Sequence, residues 1–245
     1  MSSTRVRLAS ALAAAGMALT FAGAPAAADP VLVELFTSQG CSSCPPADLY
    51  LGELAQRTDV VALAFHVDYW DYIGWRDKFA KPEYTKRQKD YVDALEVRMV
   101  YTPQMVVDGR FEAVGTDHQD VETSINAAAM IAKQPIALSE AEGKLRVTVP
   151  AAEIDLAKPA SLWLAVFARR RETPVGRGEN AGTRLVEYHI VRQLDRLGPW
   201  TGKAVDMQVP MAPMDKNTGC AVILQVDGAG EVLGVAALPA TGQAY

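Results

Sequence analysis

The chain has 245 residues, 49% hydrophobic and 22% charged, with 24 lysines and arginines against 29 acids and a net charge of −5. Without residues 1–28, which hold Arg5 and Arg7 and no acid, the balance is 22 basic to 29 acidic, or −7. That balance argues against phosphate-backbone binding, which needs a clustered basic surface, so no nucleic-acid partner is expected.

Arg5 and Arg7 are followed by no charge until Asp29, Leu8 to Ala22 is apolar, and Ala26-Ala27-Ala28 is a small-residue cleavage pattern. These features predict a signal peptide over residues 1–28 and a periplasmic or secreted chain that meets a membrane only during export. A retained anchor is disfavoured because the stretch is rich in alanine and glycine and ends in a cleavage-like site. No later apolar run is long enough to span a bilayer.

Residues 31–36, VLVELF, read as a buried strand leading into the turn TSQG. Residues 47–57 place Leu51, Leu54 and Ala55 at helical spacing, and VVALAFHV (60–67) is a second buried strand. The aromatic loop DYWDYIGWRD follows, and Pro82 opens a helix through TKRQKDYVDALE. QMVVDG (104–109) and RFEAVG form a hairpin about Asp108-Gly109, and Thr116 or Asp117 caps a helix whose Val121, Ile125 and Ala128 share a face. The order β-α-β-α-β-β-α over residues 30–133 predicts a mixed sheet with helices on its faces. After Pro135 come six strand-like runs (KLRVTVP, SLWLAVFA, RLVEYHIV, KAVDMQVP, CAVILQV and EVLGVAAL) with no convincing helix between them. This predicts two domains, 29–134 and a β-rich, sandwich-like 135–245, packed side by side.

The motif that carries chemistry is SQGCSSCPP, residues 38–46. A C-x-x-C at the end of a first strand and opening a helix is a redox couple of the thioredoxin type. The helix N-terminus favours a thiolate on Cys41, and the small Ser42 and Ser43 put no bulk between the sulfurs. Pro45 and Pro46 cannot donate an N–H, so the first bonded N–H lies at Ala47 or later, and Ser43 is the expected N-cap.

VELFTSQGCSSCPPAD, AFHVDYWDYIGWRDKFA, VYTPQMVVDG and GENAGTRLVEYHIVRQL together resemble a bacterial family of secreted thioredoxin-like proteins of unknown function, over essentially the whole mature chain. The resemblance implies an α/β thioredoxin-like fold in which Thr102-Pro103, a cis bond in such folds, enters the third strand beside the cysteines. It carries over Cys41, Cys44 and Pro103; thioredoxin's own glycine-proline between the cysteines is absent. In that frame Cys41 is the nucleophile, Cys44 resolves the mixed disulfide, and Thr102 flanks the substrate strand. The expected partners are protein or small-molecule thiols and disulfides, with no cofactor.

Glu34, seven residues before Cys41, sits inside an apolar strand and is a candidate proton shuttle for Cys44; a solvated or hydrogen-bonded edge residue is the plainer reading. His66, Asp68, Trp70 and Trp75 follow the second strand at its carboxyl end, where open α/β sheets bind ligands, and are candidate substrate contacts. An aromatic corner with a core histidine is the equal alternative. A second function class is a metal carrier using Cys41, Cys44 and His66 for copper(I) or zinc, with no fourth ligand in view, so no metal is assigned. A third is a module with Cys41–Cys44 as a permanent staple, although so short a loop gains little from cross-linking. Cys220 is expected to be a packed core thiol. The arginines around GENAG (Arg169, Arg170, Arg171, Arg177, Arg184) are expected on a solvated loop, with an anion site or a face toward the cysteine domain as alternatives.

Overall fold

A computed structural model describes residues 29–153, 158–212 and 214–238. The expected signal peptide, 1–28, lies outside the described residues. Among those described, no helix is long and apolar enough to cross a membrane.

The chain is a mixed α/β fold. Its strands are β1 (Val31–Thr37), β2 (Val60–His66), β3 (Gln104–Val107), β4 (Phe111–Val114), β5 (Ala137–Ala141), β6 (Lys144–Val149), β7 (Ala160–Pro174), β8 (Arg184–Trp200), β9 (Val205–Pro210), β10 (Thr218–Val226) and β11 (Val232–Leu238). The helices are α1 (Pro45–Leu54), α2 (Pro82–Ala94) and α3 (His118–Ala129). One eight-stranded sheet runs β11-β10-β7-β8-β2-β1-β3-β4, and β5-β6-β9 form a smaller one. Strands β1 and β2 are parallel, and β3 returns antiparallel to β1. Four strands of the β-rich half therefore extend the first half's sheet through β8 beside β2 rather than standing next to it.

Every residue of β1 and β2 is buried, as expected of strands covered on both faces. Val31, Val33 and Leu35 pack with Leu51 and Leu54 of α1 and Ile125 of α3. On the other face Leu32 and Phe36 meet Phe65, Tyr84 and Tyr91 and also Ile223 and Val232, so the two halves share a core. A third core lies between the small sheet (Leu145, Val147, Val149) and Leu162, Leu164, Val222 and Leu224. Cys220 is a free, fully buried thiol there, and burial pushes its pKa up to about 11.

The Asp108-Gly109 turn adds a second tie between the halves. Asp108 accepts from Leu32 N at 2.8 Å and pairs with Lys133 at 2.8 Å, while its carbonyl accepts from Val232 N. Gly109 has φ +62°, and a Cβ there would stand 2.3 Å from the carbonyl oxygen of Gly230. The position needs glycine both for its backbone and for that close approach.

Candidate functional site

Strand β1 ends at Thr37, and a tight turn follows: Gly40 N donates to Ser38 Oγ and Cys41 N to Ser38 O, both at 3.1 Å. Cys41 and Cys44 are bridged, with S–S 2.15 Å and Cα–Cα 5.4 Å. The N-cap of α1 is Cys44, one residue beyond the expected Ser43, and it makes no side-chain cap bond. The Cys44 carbonyl accepts from Ala47 N and Asp48 N, and Pro45 and Pro46 occupy the first helical positions. Chain geometry thus follows the prolines: the first turn of α1 has no unpaired backbone N–H to offer Cys41.

Thr102-Pro103 is cis. A Cβ on Gly115 would lie 3.1 Å from Ala47 Cβ and 3.2 Å from Pro103 Cβ, which sets Pro103 against the first turn of α1. Trp70 Nε1 donates to Thr102 Oγ1 at 2.8 Å, and Trp70 Cβ lies 3.0 Å from where a Gly40 Cβ would be. Cys41, Cys44, Thr102, Pro103 and Trp70 therefore gather at one edge. Trp75 joins them, its indole N–H donating to Gln39 Oε1 at 3.0 Å.

Both cysteines are nevertheless buried, Cys41 at 1% and Cys44 at 0% exposure, while Ser42 and Ser43 are exposed. The stretch 175–183 joining β7 to β8 reaches them. Asn180 Nδ2 donates to the carbonyl oxygens of Gln39 and of Cys41, each at 3.0 Å. The arginine-flanked GENAG loop is thus only partly solvated, and its asparagine is 7% exposed.

Behind the disulfide lies a buried polar set. Asp48 is one helical turn after Cys44, on the same face of α1, and the charges of His66, Glu187 and Asp77 act on it. His66 Nδ1 meets Asp77 Oδ2 at 2.7 Å, and Glu187 Oε1 lies 3.8 Å from Nε2, an atom with no hydrogen-bond partner among the described residues. Gln39 ties the set to the cysteine turn: its N–H donates to Asp77 Oδ2 at 2.9 Å and its amide to both Glu187 oxygens. Thr173 Oγ1 also donates to Glu187 Oε2. Three carboxyls and one imidazole cannot all ionise in so dry a place. Burial pushes Asp48 up to about 8, against the opposing pull of His66. Burial opposes charge on His66 as well, but Asp77 overrides it and brings the imidazole up to about 9. Burial would raise Asp77 too, yet His66 holds it below the usual carboxylate range, while burial raises Glu187.

Glu34 and Asp68 are placed elsewhere, and His66 lies within the buried set. Glu34 lies on the α2 side of the sheet, in a bidentate pair with Arg87 at 2.7 and 2.9 Å, with Tyr91 Oη donating to the same carboxylate. Arg87 also donates to Gln225 of β10. Side chains alternate along a strand, so Glu34 points away from the face that carries α1, and the structure does not bring it to the cysteines. Asp68 exchanges hydrogen bonds with Thr85, N–H to Oγ1 at 3.1 Å and Oγ1 to Oδ1 at 2.6 Å, which anchors α2. His66 is 1% exposed and so is a core partner of Asp77, with no open side toward a substrate. Among the described residues no group of three or more histidines, cysteines or acids could hold a metal ion, and the two sulfurs proposed as ligands are bonded to each other.

The sequence marks none of Asp48, Asp77, Glu187 and Asn180 as site residues; Asn180 stands out there only as part of the GENAG turn. Asp48 had a local signal, an acid on the stripe that also holds Ala47, Leu51 and Leu54. Glu187 alternates with buried Leu185 and His189 on β8, an acid at an inward position.

No curated protein matches the chain. Among solved structures it is similar to protein AGR_C_4864 from Agrobacterium tumefaciens, 30% identical with TM-score 0.74 over 89% of this chain and 97% of that one. It also resembles HBP35 of Porphyromonas gingivalis, with TM-score 0.58 over 88% of this chain and 76% of that one; at 14% identity this likeness shows fold alone. A family profile described as protein of unknown function (DUF1223) matches residues 32–226, and the chain belongs to that family.

Proposed function

We propose that this chain is an exported, thioredoxin-like thiol–disulfide oxidoreductase, with Cys41 as the exchanging sulfur and Cys44 as the resolving one. The observation that carries the reading is a disulfide at the β1–α1 turn backed, one helical turn behind Cys44, by an acid that burial keeps protonated at neutral pH. The β-α-β-α-β-β-α succession and the seating of Pro103 against α1 support the thioredoxin-like assignment.

A substrate thiolate attacks Cys41 Sγ; the Cys41–Cys44 bond breaks and its electron pair passes to Cys44 Sγ. Asp48 gives that sulfur its proton. A second substrate thiolate then attacks the substrate sulfur of the mixed disulfide, and Cys41 leaves as thiolate. The substrate is oxidised by two electrons and the protein disulfide reduced; in reverse, ionised Asp48 takes the proton from Cys44.

The test is trapping: Cys44→Ser is expected to hold substrates on Cys41 as mixed disulfides, and Cys41→Ser to abolish insulin reduction by the mature chain. Insulin reduction that survives Cys41→Ser sinks the proposal. The burial of both sulfurs favours a second reading, a permanent staple. A couple that stays oxidised below about −300 mV in a glutathione titration selects the staple.

A further inference from the structure

The exchange scheme needs a thiolate to reach Cys41 Sγ in line with the S–S bond, and Cys41 is 1% exposed. Between the cysteines, Ser43 Oγ lies 3.4 Å from Cys41 Sγ, and both Ser42 and Ser43 are themselves exposed. Beside Trp70, which packs on Gly40, the 175–183 connection between β7 and β8 reaches the turn from far along the chain, through Asn180 on the Gln39 and Cys41 carbonyls.

That connection is built to hold one side chain in place. Residues 176, 177, 179 and 181–184 are exposed, whereas Asn180 is 7% exposed. Its amide uses both N–H groups on the turn, one on the Gln39 carbonyl and one on the Cys41 carbonyl. Within the loop, Val175 N donates to Thr183 O, Gly182 N to Val175 O and Ala181 N to Gly178 O, and Thr183 Oγ1 donates to the Asn180 carbonyl at 2.6 Å. Gly178, at φ +77°, lies against Trp75, where a Cβ would come within 3.1 Å of Trp75 Cβ. Trp75 in turn donates to Gln39. The loop therefore meets the cysteine turn through Asn180 and through Trp75; Val175 at its start is buried, and the side chains of residues 177, 179, 181 and 183 are exposed.

We infer that Asn180 is the latch of a cover over the disulfide, and that it determines which thiols exchange with Cys41. With the latch closed, small thiols reach the sulfur slowly and protein thiols are shut out; release of the two Asn180 hydrogen bonds opens the site. The purpose assigned to the latch rests on the exchange reading, but its test needs no turnover.

The experiment follows reduction of the protein's own Cys41–Cys44 bond, by quenched alkylation and mass, in the full mature chain. The reductants are dithiothreitol, which ends as its cyclic disulfide, and a reduced protein dithiol, which ends as its own disulfide. The proteins are wild type, Asn180→Ala, and a chain lengthened by Gly-Ser after Gly182, where a Cβ would meet nothing within 4 Å. Two hydrogen bonds correspond to a rate gain of roughly 10- to 100-fold with dithiothreitol once the latch is gone. The gain with the protein dithiol should be larger, because exclusion by bulk is lifted as well. Wild-type rates in both altered chains overturn the latch. Should Asn180→Ala fail to fold, the lengthened chain alone decides, by the same rates. A failure to catalyse exchange between other thiols would defeat the oxidoreductase reading and leave these rates to speak for the cover.

Discussion

Replacing Asp48 by asparagine removes a proton site whose affinity differs widely between the folded and unfolded chain. In the unfolded chain the carboxyl ionises near about 3.9; in the fold, burial pushes it up to about 8. Between those values the folded state carries one more proton than the unfolded state, so stability falls by about 1.4 kcal/mol per pH unit. By pH 7 the accumulated loss is about 4 kcal/mol. His66 works in the same sense. Its folded value of about 9 exceeds the ordinary 6.5, so its stabilisation is complete below pH 6.5 and is lost as pH rises through 9. Wild type should therefore lose stability along a two-proton slope between about pH 6.5 and 8. In Asp48→Asn one proton's slope disappears, and the variant should be more stable than wild type at pH 7 by about 2–4 kcal/mol while matching it near pH 4. Urea unfolding of the oxidised proteins from pH 4 to 9, followed by circular dichroism, reads this directly. A variant whose profile runs parallel to wild type would show that Asp48 is ionised in the fold, leaving the exchange scheme without its proton donor.

Glu34→Gln should cost about 3–5 kcal/mol in denaturant unfolding, because it leaves the buried Arg87 guanidinium without its carboxylate. The pH profile of Cys41–Cys44 reduction should be unchanged; a displaced profile would return Glu34 to the proton path. Gly52→Ala sets a Cβ 2.5 Å from Tyr188 Cδ2 where α1 crosses β8, so it should destabilise by about 1–3 kcal/mol, with rescue by Tyr188→Ala. An unrescued loss in the double mutant would place the strain elsewhere. Pro45 and Pro46 deprive Cys41 of helix N-terminal donors, so its thiolate is weakly stabilised and the couple should be reducing, nearer about −270 than −120 mV. Glutathione titration giving a value near the oxidising end would refute that argument.

The long elements were readable because their periodicity is strong. VLVELF and VVALAFHV are apolar runs broken only by Glu34 and His66, and the structure buries both on two faces. Strand β5, ALSEA, was missed: it is short and mostly exposed, and it exists because β6 pairs with it. The cysteine turn was legible from its residues alone, down to the prolines that delay the helix. Its surroundings were not. Glu34 and Asp48 are both acids within apolar stripes, and only the packing of α2 with Arg87 on one face and α1 on the other separates a structural ion pair from a proton holder. Asn180 lies 139 residues from the carbonyl it binds, and nothing near it in the chain announces that partner.

The place of β8 in the large sheet has a consequence for how the molecule assembles. Strand β2 is hydrogen-bonded to β1 on one side, and its other edge is filled by β8, in register at Ala64 and Ile190. More than a hundred residues separate those two positions. Until the later segment arrives, the apolar edge of β2 stands open in the middle of the future sheet, the kind of edge on which chains join one another. Pairings so distant in sequence close slowly. A fragment ending near residue 134 would keep that edge permanently and should self-associate, whereas the whole chain has its own strand to seal it.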